Sequence, residues 1–74
     1  MVDITCEIVK NVAVLATSEK GYTKELNFVS WNGNEPKLDL RSWSPGRERC
    51  GKGITLTVDE GRALFDALTK VYAE

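Results

Sequence analysis

The chain has 74 residues, enough for one domain over 1–74 but few for a large core. Chains of this size bury only about 60 % of the surface that their unfolded form exposes, so pairing with a second copy is an expected source of added stability. Two cysteines are too few for a disulfide scaffold, and the lack of histidine leaves a metal few ligands and a nucleophile no base. Net charge is −1, yet residues 20–53 hold seven of the ten Lys and Arg against four of the eleven acidic residues. The centre is basic and the ends are acidic, which sets a local footprint for an anionic partner.

Met1-Val2-Asp3 lacks the basic and apolar regions of a signal peptide. No apolar run approaches the ~20 residues of a membrane span, so the chain reads as cytosolic with free thiols and no membrane partner. Ile4 to Thr17 is rich in β-branched residues and predicts a first strand, with Lys10-Asn11 marking a bend or bulge. Ser18-Glu19-Lys20-Gly21 is a turn by composition. Lys24 to Trp31 predicts a second strand, with Leu26, Phe28 and Ser30 on one face and Glu25, Asn27, Val29 and Trp31 on the other. Asn32-Gly33 suggests a two-residue type I′ hairpin. That register would set Phe28 opposite Lys37 and Asn27 opposite Leu38, mixing the faces. A five-residue loop avoids this and pairs Trp31 with Lys37, Val29 with Asp39 and Asn27 with Arg41.

Lys37 to Trp43 alternates cleanly. Leu38 and Leu40 are expected inward, and Lys37, Asp39, Arg41 and Trp43 outward, with Asp39 orienting Arg41 or a neighbour. Ser44 to Lys52 reads as a charged loop, and Ile54-Thr55-Leu56 as a short fourth strand. Thr57-Val58-Asp59-Glu60 is a capping box that opens a helix to about Tyr72. Its apolar stripe is Val58, Gly61, Leu64, Phe65, Leu68, Val71 and Tyr72. Gly61 is costly in a helix, about 1 kcal/mol relative to Ala, and suggests a close neighbour. The fold class is α+β, a four-stranded antiparallel sheet followed by one helix.

A sheet face with cations beside aromatics suits the phosphates and unstacked bases of a single strand. The candidate contacts are Lys24, Asn27, Trp31, Lys37, Arg41, Trp43, Arg47, Arg49 and Lys52. Against these stand plainer readings: a tryptophan in the core, a solvated strand, mobile loop charges. Cys50 lies between Arg49 and Lys52, a setting that lowers a thiol pKa, but it has no His partner. Cys6 reads as a small core hydrophobe. No catalytic pattern is present, and no cofactor, metal or small-molecule substrate is implied. A module that docks an acidic peptide is the alternative from another class.

Three segments carry a family resemblance: Lys24 to Asn32, Pro36 to Pro45 and Gly51 to Leu56. Together they resemble the positive-cofactor-four (transcriptional coactivator p15) family, most of all its small bacterial, YdbC-like branch. The resemblance implies a homodimer packed through the C-terminal helices, with Leu64, Phe65, Leu68, Val71 and Tyr72 at the contact. It also implies single-stranded DNA binding with little sequence preference, in the bacterial cytosol or nucleoid. Lys37, Arg41, Trp43 and Lys52 match the motif positions, and Trp31 lies near the aromatic of the hairpin. The serine- and lysine-rich tail of the eukaryotic members is missing here, so a coactivator role is not implied. Single-stranded RNA is the alternative ligand. On this reading Trp43→Ala weakens binding without unfolding the chain.

Overall fold

Strands β2 (Thr23–Trp31) and β3 (Lys37–Trp43) form the centre of an antiparallel sheet. β1 (Cys6–Thr17) and β4 (Cys50–Leu56) flank them in the order β1-β2-β3-β4, and helix α1 (Val58–Tyr72) follows. This computed structural model describes residues 5–73. Met1 to Ile4, where the sequence places the signal-peptide test and the start of the first strand, lie outside the described residues, as does Glu74. No helix among the described residues is long and apolar enough to cross a membrane.

The β2–β3 register differs from the expected one by two residues. Val29 pairs with Lys37, Asn27 with Asp39 and Glu25 with Arg41. The shift is even, so each residue keeps its face. Its origin is the hairpin. Asn32 (φ 53°) and Gly33 (φ 75°) both take the positive φ of a type I′ turn, and the Asn34 N–H donates to the Trp31 carbonyl at 2.9 Å. The turn that Asn-Gly announces therefore forms, but Glu35 and Pro36 delay the ladder beyond it. Trp31 pairs with Cys6 of β1 instead.

β1 does not alternate simply. Its pairing with β2 slips at Ile8/Lys10, Asn11/Ala13 and Val14/Ala16, leaving Val9, Val12 and Leu15 as the extra residues. The expected irregularity at Lys10-Asn11 is thus flanked by bulges, and a third follows. The expected shared face of Val12, Val14 and Ala16 is broken, since Val14 lies opposite Glu25 and Ala16 opposite Lys24. Each bulge raises the local right-handed twist, so three in one strand bend it strongly. They also make this edge a poor template for another strand.

β4 begins at Cys50, four residues earlier than expected, because glycines let its backbone run tight against β3. Before it, Pro45–Arg47 forms a single 3-10 turn. A Cβ on Gly53 would lie 2.6 Å from Arg41 Cα and would overlap the Leu40 carbonyl. Backbone cannot yield as a side-chain tip can. Gly53→Ala is expected to destabilise the fold by about 3 kcal/mol, the upper end for overpacking, read as a lower urea midpoint.

The helix opens as its sequence predicts. Thr57 Oγ1 accepts from the Glu60 N–H at 3.1 Å, and Glu60 Oε1 accepts from the Thr57 N–H at 2.8 Å. A Cβ on Gly61 would meet Leu38 Cδ2 at 3.2 Å, which is the close neighbour that the sequence suggested. The helix rests on the Leu38 and Leu56 side of the sheet.

Candidate nucleic-acid interface

The two faces of β2 and β3 have the expected membership but the opposite burial. Leu26, Leu38 and Leu40 are only half-buried, and Phe28 is exposed. The face expected to meet water holds Val29 at 0 % exposure, Trp43 at 2 %, and buried Glu25, Asn27 and Asp39. The reason is curvature. Neighbouring strands lie about 4.8 Å apart, so the outer two of four flat strands would be some 14 Å apart. Here Cys6 Sγ of β1 and Cys50 Sγ of β4 meet at 3.0 Å. The sheet has curled until its edges touch, and the mixed polar and aromatic face lines the inside.

Two charge clusters fill this concave face. In one, Arg41 donates from Nε to Asp39 Oδ1 at 2.9 Å and from Nη2 to Asp39 Oδ2 at 3.0 Å. Its Nη1 donates to the Gly51 carbonyl at 2.8 Å, and Thr55 Oγ1 donates to Asp39 Oδ2 at 2.9 Å. The guanidinium carbon sits 4.8 Å from the Trp31 ring centre. Asp39 thus does orient Arg41, and the result is a cation held over the face of an indole. The side chain of Arg41 is 13 % exposed. Its attachment to Asp39 raises its pKa further, against the opposing effect of burial.

In the other cluster, buried Glu25 accepts from Thr23 Oγ1 at 2.6 Å, Asn27 Nδ2 at 3.1 Å, Asn11 Nδ2 at 3.3 Å and Arg47 Nε at 3.0 Å. Burial alone would raise the Glu25 pKa. The hydrogen bonds from Thr23, Asn27 and Arg47, with the Arg47 charge, outweigh it and hold the carboxyl below the ordinary value. The ionised form is the one that the fold prefers, so this contribution is present above the unfolded pKa and is lost as pH falls through the folded one.

Of the nine candidate contacts, the concave side brings together Asn27, Trp31, Arg41 and Trp43, with exposed Lys37 in the same alternating set. Asn27 is fully buried and its amide is spent on Asn11 and Glu25. Trp43, expected outward, is sealed inside. Arg47 reaches in from the turn to Glu25. Arg49 is exposed in the loop before β4. Lys24 and Lys52 stand apart from this group, lining a shallow cleft with Leu40 and Ile54 on the helix-bearing face. The indole N–H groups of Trp31 and Trp43 have no acceptor among the described residues.

Sequence reasoning missed the Asn11–Glu25–Asn27 network and the meeting of Cys6 with Cys50. The alternation of Glu25, Asn27, Asp39 and Arg41 on one face was a visible signal for the former, as opposite charges there can satisfy each other. Nothing local signals the latter, which joins residues 44 positions apart.

Two comparisons relate the chain to known proteins. A relative from Treponema pallidum (strain Nichols), described as an uncharacterized protein, is 44 % identical over 69 residues, covering 93 % of this chain and 81 % of that one. A family model described as transcriptional coactivator p15 (PC4) matches residues 18–67, from the turn before β2 into the last turns of α1. The chain belongs to the transcriptional coactivator p15 (PC4) family, whose general function is nucleic-acid binding.

Proposed function

We propose that the chain binds single-stranded DNA as a homodimer, with little sequence preference, at the mouth of the curled sheet. The observation that carries this reading is the Arg41–Trp31 stack, held rigid by Asp39 and the Gly51 carbonyl. A fixed cation–indole pair offers a base a flat platform, and little ordering entropy is left to lose on binding. Three of the five guanidinium donors are taken, leaving two for a phosphate or base edge. Exposed Lys37 and Arg49 supply phosphate contacts around the rim, while Arg47 and Asn27 hold the wall.

The dimer rests on the other face. Phe65 is 69 % exposed, and Leu68, Val71 and Tyr72 are exposed with it, while Leu64 is half-buried. An apolar groove of about 570 Å³ between α1 and the β2–β3 hairpin, lined by Phe28, Leu38, Leu56, Val58 and Phe65, continues this surface. The radius of gyration of 13.5 Å exceeds the roughly 11 Å of a compact domain of this length, as for half of an assembly. A second copy that buries both stripes supplies the core that the monomer lacks.

Titration with oligo-dT, followed by indole NMR signals and an electrophoretic shift, tests the reading. Binding is expected near 50 mM salt at micromolar protein, weakening as salt rises and weaker for duplex. A stacked base is worth ~1–3 kcal/mol, so Trp31→Ala should lower affinity roughly tenfold. Equal affinity for duplex, or insensitivity to salt, would contradict the proposal. Preference for a matched RNA strand would move the ligand to RNA. Absence of any shift would favour the acidic-peptide module.

A further inference from the structure

We propose that Cys6 and Cys50 are a modification site: a thiol pair that closes reversibly into an intramolecular disulfide and clasps β1 to β4 across the concave face. The two sulfurs are 3.0 Å apart and both cysteines are free and half-buried, within reach of a small oxidant. Closing to a bond of about 2.05 Å asks for a movement of only about 1 Å. Their setting is constrained by pairing. Cys6 lies opposite Trp31 and Cys50 opposite Trp43, so each is held by a ladder partner. The sheet is an open belt of four strands, and the bond fastens its two ends.

The co-reactant is a low-molecular-weight disulfide such as oxidised glutathione. One protein thiolate attacks it, the glutathione S–S bond breaks, and one glutathione leaves as a thiolate that takes a proton from water. The second protein thiol gives up its proton and attacks the protein sulfur of the mixed disulfide, expelling the second glutathione. Two protein thiols are oxidised and one glutathione disulfide is reduced to two thiols. In the dithiol, burial and the Cys50 neighbour push the Cys6 thiol up to about 11, so it is the poorer first attacker and is left for the second, intramolecular step, where closeness replaces nucleophile concentration. Cytosolic disulfides of this kind are transient and redox-responsive rather than structural. The inference does not depend on what the concave face binds.

The test uses the full chain incubated with oxidised glutathione or with dithiothreitol, followed by intact mass, a non-reducing gel and thermal unfolding. The expected result is loss of two hydrogens per chain with no retained glutathione and no cross-linked pair. The melting temperature should rise on the order of 10 °C, because the bond closes a long loop in the unfolded chain. Both effects should reverse on reduction and be absent in Cys50→Ser. Thiols that remain alkylatable, retained glutathione, a bond between chains, or a disulfide that forms without raising the melting temperature would each overturn the clasp.

Discussion

Trp43→Ala is expected to remove about 3–5 kcal/mol of stability, and a loss of nucleic-acid binding in that variant is expected to follow from the weakened fold rather than from a lost contact. Trp43 is 2 % exposed and, with Val29, makes up the fully apolar core of the described residues. Truncating a buried tryptophan costs about 3–5 kcal/mol, from lost transfer energy and the cavity left behind. A domain of this length has roughly 4–11 kcal/mol of stability in all. Circular dichroism through a urea titration measures the effect. A native-like midpoint with reduced binding would show instead that Trp43 acts at the surface, as its alternation alone suggests. Trp43→Phe, which keeps most of the volume, should retain the fold and separate the two roles.

Asp39→Ala is expected to be nearly as damaging. Asp39 is fully buried and neutralises Arg41, whose side chain has little water of its own. Removing one partner of a buried pair strands the other charge, at about 3–5 kcal/mol. Arg41→Ala leaves Asp39 with only the Thr55 side chain as a donor among the described residues and should cost a similar amount. The double variant should cost less than the sum of the two, because neither charge is then left alone. Urea midpoints of the four proteins close the cycle. Additive losses would mean that the pair is not coupled and that the Arg41–Trp31 stack is not held by Asp39.

Much of this protein was legible one segment at a time. The alternation in β3 sorted Leu38 and Leu40 from Asp39, Arg41 and Trp43, and Thr57 with Glu60 marked the first turn of the helix. Two residues of register escaped because Asn32-Gly33 and Pro36 act together: the turn closes early and the ladder starts late. The length of β4 escaped because glycine reads as loop until a neighbouring backbone is seen to need its missing Cβ, as Arg41 and Leu40 need it at Gly53.

Sequence alone determined the elements, their order and, in β2 and β3, which side chains share a face, since those follow from backbone periods of two and 3.6 residues acting over a few positions. Only the tertiary structure decided which face is the inside. The bulges at Val9, Val12 and Leu15 and the close approach at Gly53 curl the sheet toward its polar side. That curl buries Trp43 and Asp39, brings Cys6 to Cys50, and leaves the leucine face and the helix stripe for a second surface to cover. Curvature is the sum of twists along four strands, and no single stretch of chain contains it.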